Sequence, residues 1–162
     1  MILDDPWNSC SRLDRAIVTA VAAHRGQVDK IGLPYVLHPL YVMEQMSTES
    51  ERIVAVLHDI LEDCDETNIE ELTLIIPLIE EEATALVALT HKEHEPNVDY
   101  IQRIIDAGEL AMNVKLQDLF HNSSEKRLRN LPTETIIRLR KKYDSAIDAI
   151  REARYNETGE WL

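Results

Sequence analysis

The 162-residue sequence is poor in the residues that mark several common classes of protein. It has two cysteines, Cys10 and Cys64, too few for a disulfide framework, so a reducing cytoplasm is the expected compartment. Four glycines and six prolines leave little room for low-complexity linker, and no Gly-rich phosphate loop is present. With one phenylalanine, the core has to be built mostly from Leu, Ile, Val and Ala. Positive charge is scarce: 17 Lys and Arg stand against 30 Asp and Glu, a net charge of −13. That balance argues against a nucleic-acid coat or a binder of anionic membranes, both of which need a broad basic face. It leaves room for a small anionic substrate, provided a metal and a few local cations offset the field. No apolar run approaches ~18 residues, so no transmembrane helix is expected. The acidic start, Met1 to Trp7, lacks the charged-then-apolar order of a signal peptide. No segment alternates with period two over a strand's length, and no repeat recurs at a fixed period.

What the sequence does have is helical periodicity. Segment 9–25 places Leu13, Ile17, Ala20, Val21 and His24 on one face, with Ser9 or Ser11 as cap and Gly26 beyond its end. A loop from Gln27 to about Leu37 carries Gly32 and Pro34, and Pro39 then opens a second helix in its first turn. A helix from Glu49 to about Asp63 follows, then Ile69–Ile76 behind Thr67 or Asn68, and Leu78–Thr90. Next come Asn97–Ala107, ended by Gly108, and Glu109–Asn122. Pro132 opens a last long helix to about Ala153, with Tyr143 in its apolar stripe, and the tail to Leu162 is expected to be frayed or packed by Trp161. The pattern predicts an all-α bundle of seven to nine helices, one domain over residues 1–162 with its core over about 11–153.

The polar residues inside this pattern are few and grouped. His58 and Asp59 interrupt the apolar run Val54–Leu61, and Glu62 and Asp63 follow. On a continuous helix, His58 and Glu62 stand at i and i+4, as do Asp59 and Asp63. Imidazole nitrogen and carboxylate oxygen together suit a divalent transition metal. His38 at a helix start and Asp118 within Val114, Leu116, Leu119 and Phe120 complete a candidate ligand set, since a lone buried carboxylate is costly. Glu62 and Asp63, about one turn or roughly 5 Å further on, would orient or deprotonate water. An ordinary partly buried His-Asp pair explains the local motif equally well, because adjacent His-Asp pairs are common in any chain.

Three stretches add a resemblance. Ala23–Leu40 (AHRGQVDKIGLPYVLHPL), His58–Asp63 (HDILED) and Val114–Asn122 (VKLQDLFHN) resemble, in order and with similar gaps, the motifs of HD-domain metal phosphohydrolases of the RelA/SpoT alarmone-hydrolase type. The sequence is similar to the small stand-alone members. The resemblance implies an HD-domain helical bundle with His38, His58, Asp59 and Asp118 as ligands, usually of Mn²⁺. It implies Glu62 and Asp63 as the water-activating pair, and Lys30, Tyr35 and Asn122 at the substrate. The implied reaction is removal of the 3′-diphosphate of ppGpp or pppGpp, giving GDP or GTP and pyrophosphate. Two positions depart from the pattern: Asp29 stands where Arg or Lys precedes Lys30, and Leu119 where Arg or Lys follows Asp118. Both remove positive charge near a phosphate. They keep open another phosphorylated nucleotide, such as the 2′-phosphate of NADPH or a nucleoside monophosphate, and also a non-catalytic nucleotide sensor.

Other residues have plainer expectations. His24 reads as a core or capping histidine, and Tyr35 either walls the pocket or anchors the loop through its hydroxyl. Lys115 reads as a surface residue, and His121 as facing elsewhere on its helix. His91, Lys92 and His94 read as a polar loop, and Lys126, Arg127 and Arg129 as a solvated face or substrate rim. Nothing marks Cys64 as a nucleophile.

Overall fold

Buried side chains from Ala16 to Ile150 form one hydrophobic cluster, and helices supply nearly all of it. The computed structural model describes residues 9–64 and 67–159. The acidic start and the expected packing of Trp161 therefore lie outside the described residues. The elements are α1 (Arg12–Ala23), α2 (Leu37–Glu44), α3 (Glu49–Leu57), α4 (Ile60–Asp63), α5 (Ile69–Ile75), α6 (Glu80–Leu89), α7 (Asn97–Asp106), α8 (Glu109–Ser123), α9 (Glu125–Leu128) and α10 (Thr133–Thr158). Two of these, α4 and α9, are single turns of four residues, so eight longer helices carry the bundle among the described residues. The only extended pairing there is an isolated bridge between Val28 and Pro34. The all-α expectation holds.

Local chemistry sets the helix starts. Ser11 accepts from the Asp14 backbone N–H while Asp14 accepts from that of Ser11, and Thr48 and Glu51 repeat the arrangement at α3. These reciprocal caps satisfy donors that a helix leaves orphaned in its first turn. Asn68 caps α5 through its side chain, as expected. Gly108, with φ +97° and ψ −172°, takes an extended positive-φ conformation that favours glycine and separates α7 from α8.

Helix α3 is the central element. Ile53, Val54, Ala55, Val56 and Leu57 are all fully buried, because α1, α2, α6 and α8 pack around it. A helix apolar on every side belongs in the middle of a bundle. Helix α8 runs against α2, α3, α6, α7 and α10. The two elements that carry His58 and Asp118 are thus the two most enclosed by the rest of the chain.

Three boundaries differ from the sequence reading. The helix expected over 49–63 ends at Leu57 and resumes at Ile60. Asp59 sits at φ −98°, ψ −6°, between helical and extended backbone. On an unbroken helix, His58 and Asp59 would point about 100° apart; the break lets both reach one point. Helix α7 is capped by Pro96 rather than Asn97. Helix α10 continues through Thr158, past the Arg154 expected to begin a frayed tail, and stops at left-handed Gly159.

Candidate metal centre and its cavity

Each proposed ligand arrives on a different piece of backbone. His38 is in the first turn of α2, His58 and Asp59 occupy the break after α3, and Asp118 is in the third turn of α8. His38, His58 and Asp118 are buried, and one donor atom from each lies within 4.8 Å of the others, a group that could hold a metal ion. His38 Nε2 is 3.1 Å from Asp118 Oδ1 and 3.6 Å from Asp59 Oδ2. His58 Nε2 is 3.1 Å from Asp59 Oδ2 and 3.7 Å from Asp118 Oδ1.

The outer contacts fix how these donors point. His58 Nδ1–H donates to the Ala55 carbonyl at 2.7 Å, which leaves Nε2 as the nitrogen that faces the two carboxylates. That Nε2 is buried and has no hydrogen-bond partner among the described residues. The Tyr35 hydroxyl donates to Asp59 Oδ2 at 2.7 Å. Lys115 Nζ donates to Asp118 Oδ2 at 2.8 Å, and Asn122 Nδ2 to Asp118 Oδ1 at 2.5 Å. His38 Nδ1 lies 2.6 Å from His121 Nδ1, the two rings are stacked, and Tyr41 stacks on the far side of His121. Ligands of a metal are commonly held by such a second layer.

Electrostatics agree with a site built for a cation. Burial disfavours charge on Asp118, yet Lys115 and the two imidazoles outweigh it and hold the carboxyl well below its usual range. For Asp59, burial is likewise overcome, chiefly by His58, and the pKa falls to about 2. Burial opposes a charged His58, but the Asp59 and Asp118 carboxylates push its pKa up to about 10. A proton on His58 supplies positive charge between the carboxylates, and a bound cation would take its place. The orphaned His58 nitrogen, its locked tautomer and the N/O donor chemistry all fit a divalent cation.

The centre opens into a cavity of about 420 Å³. Glu62 and Asp63 line it, as do Lys30, Tyr35, Leu119 and Asn122. Every residue named from the sequence as ligand, base or substrate contact therefore borders the centre or this cavity. Glu62 accepts from the His91 backbone N–H at 3.0 Å, so the loop after α6 is tied to the cavity wall. Asp63 is pushed upward by partial burial and by neighbouring Asp59. Asp29 also lines the cavity, but its Oδ1 accepts from the backbone N–H groups of Ile31 and Leu33 at 2.9 and 3.0 Å. It shapes the turn that presents Lys30.

Several plainer expectations need correction. Lys115 is a largely covered partner of Asp118, its side chain 14% exposed, and sits 4.9 Å from the Tyr100 ring centroid, so it is not an ordinary surface residue. His121 faces His38 and not elsewhere. Both lie three residues from Asp118, and that spacing alone puts them on its face. Tyr35 serves both of its suggested roles, wall and hydroxyl anchor. Arg127 lines the cavity as a rim residue, joined by Tyr143 and by Lys142 of α10. Lys142 has no local signal; only the packing of α10 on α8 brings it in. His91 borders the cavity, whereas His94 is almost fully exposed. His24 is a core histidine, bonded through Nδ1 to Gln27 at 2.8 Å.

Comparison with known proteins follows the same line. A solved structure described as a metazoan ortholog of SpoT that hydrolyzes ppGpp and plays a role in starvation responses superposes with a TM-score of 0.68 and 19% identity. The match covers 90% of this chain and 96% of that one. The chain shares that protein's fold. The guanosine-3′,5′-bis(diphosphate) 3′-pyrophosphohydrolase of Vibrio cholerae is 41% identical over 59 residues. That stretch is 34% of this chain and 8% of the relative, so the chain spans a small part of the curated protein it matches. No family model matches. The solved structure thus shares the fold that the three motifs imply, and the curated relative shares sequence over about a third of this chain. No helix among the described residues is long and apolar enough to cross a membrane.

Proposed function

We propose that this chain is a divalent-metal phosphohydrolase that removes the 3′-diphosphate of ppGpp or pppGpp. The observation that carries the reading is the convergence of His38, His58, Asp59 and Asp118 beside a cavity lined by both acids and bases. These four residues would hold a divalent cation, with Mn²⁺ the metal we favour, which would supply Lewis acidity toward a phosphoryl oxygen and water. Glu62 and Asp63 stand on the cavity wall as proton acceptors; the upward shift of Asp63 brings it nearer the range where a general base works. Lys30, Lys115, Arg127 and Lys142 supply local positive charge to the substrate phosphates in a molecule that is otherwise strongly acidic. Asn122, already bonded to Asp118, stands at the junction of ligand and substrate. Water attacks the 3′-linked phosphorus, the ribose 3′-oxygen leaves, and GDP or GTP and pyrophosphate result.

The departures at Asp29 and Leu119 bear on this substrate. Asp29 has its Oδ1 committed to the loop backbone, so it presents less charge to a phosphate than its position suggests. Lys115, Arg127 and Lys142 restore positive charge from other elements. A small phosphorylated nucleotide handled in a reducing cytoplasm is the setting we infer. Purified chain with Mn²⁺ should release pyrophosphate from ppGpp, and Asp59→Ala should not. Turnover of NADPH or a nucleoside monophosphate in place of ppGpp would replace the substrate; ligand binding without any product would replace the enzyme by a sensor.

A further inference from the structure

Helix α8 has a second occupied face. Lys115, Asp118 and Asn122 look into the catalytic cavity, while Asn113, Gln117 and Phe120 line a separate cavity of about 300 Å³. The two cavities share no lining residue. The far wall of the second comes from α10, which contributes Arg151 and Arg154.

Two guanidinium groups therefore face one concave space, and they differ in how they are satisfied. Arg154 is held by the Asn113 side-chain oxygen and by Glu109 at 3.1 Å. Arg151 lies over the Phe120 ring, 5.4 Å from its centroid, and its Nε is buried without a hydrogen-bond partner among the described residues. A buried guanidinium nitrogen lacking an acceptor costs free energy that an oxyanion would recover. The acidic residue of this cavity, Glu51, is already occupied. Its Oε1 accepts from Asn113 Nδ2 at 2.9 Å, and its Oε2 accepts from the Thr48 and Ser47 backbone N–H groups at 2.9 and 3.2 Å. Phe120 offers an exposed aromatic surface, 36% accessible, beside the guanidinium. In a chain of net charge −13, a concave site of this sign is a selective feature.

We infer that the cavity between α8 and α10 is a second ligand site, which takes the phosphate or carboxylate group of a small organic anion on Arg151. Planar, two-point recognition of an oxyanion is what a guanidinium with an unused Nε–H provides. The inference stands apart from the hydrolase reading, since it requires no turnover.

The test is NMR of the full ¹⁵N-labelled chain in Mg²⁺, followed at the Arg151 Nε–H and the Phe120 ring. Inorganic phosphate is one probe, succinate another, and sodium chloride at matched ionic strength is the control. A saturable shift at both groups, with Kd on the order of 1 mM or tighter for at least one probe, is expected. The stronger probe identifies phosphate or carboxylate as the preferred group. In Arg151→Lys, which keeps the charge and loses the Nε–H, affinity should fall roughly tenfold or more. Resonances that stay still, or that move equally with sodium chloride, would overturn the site, whatever the catalytic assays return.

Discussion

His58 illustrates how single atoms decide this site. Its Nδ1–H is spent on the Ala55 carbonyl, so only Nε2 is left for the centre. Tyr35 plays the corresponding part for Asp59 by holding Oδ2 at 2.7 Å. Tyr35→Phe should keep the fold and weaken Mn²⁺ binding by roughly tenfold, the lower end of what loss of a second-layer partner costs. Calorimetric titration of the metal measures it. Glu62→Gln and Asp63→Asn should behave differently: metal affinity stays near wild type while turnover drops by about 10²-fold or more. If either variant lost metal instead, its carboxylate would be a ligand and not a proton acceptor. That His38, His58, Asp59 and Asp118 would converge was legible chiefly through the three-motif resemblance, since spacing alone left an ordinary His-Asp pair as good an explanation. Lys115 and His121 were misjudged, although their three-residue spacing from Asp118 was there to be used. Lys142 was beyond reach, since no local pattern connects residue 142 with residue 118.

At the scale of elements, the break between α3 and α4 matters most. Periodicity alone favoured an unbroken helix, because Ile60 and Leu61 continue the apolar run. The backbone turns at Asp59 to bring both members of the His-Asp pair inward, and hydropathy carries no trace of that turn. Caps were partly readable: Ser11 was one of two candidates for α1 and Asn68 one of two for α5, whereas the Thr48–Glu51 pair was not read although it has the same three-residue spacing as Ser11–Asp14. Thr48→Ala should cost about 1 kcal/mol, seen as a lower denaturant midpoint, because it removes the start of the central helix. The loop after α6 depends on Arg103, which donates to the carbonyls of Val87, Ala88 and Thr90 and pairs with Glu95 at 2.7 Å. The Arg103 hydrogen bond lowers the Glu95 pKa from 4.5 to about 2. A depressed folded-state pKa means that the stabilisation is fully present above about 4.5 and is lost as pH falls toward about 2. The difference in melting temperature between wild type and Glu95→Gln should therefore be largest near neutral pH and shrink across that window. A constant difference would show that the pair is not what holds the loop.

For the molecule as a whole, one hydrophobic cluster joins α1 to α10. We expect one cooperative unfolding transition, with far-ultraviolet circular dichroism and the dispersed methyl resonances of the core changing together. Leu57→Ala, at a fully buried position in α3, should lower stability by about 2–5 kcal/mol without splitting that transition. The fold class was readable because helical periodicity persists along most of the chain. The cavity was not, because it is made by the crossing of α8 and α10 and by loops on either side. The claim on which the rest depends is that His38, His58, Asp59 and Asp118 grip one cation. Anomalous diffraction at the manganese edge, from crystals grown with Mn²⁺, tests it most directly. The account predicts one strong peak within bonding distance of His38 Nε2, His58 Nε2 and both carboxylates. No peak there, or a peak bound by other residues, would contradict it.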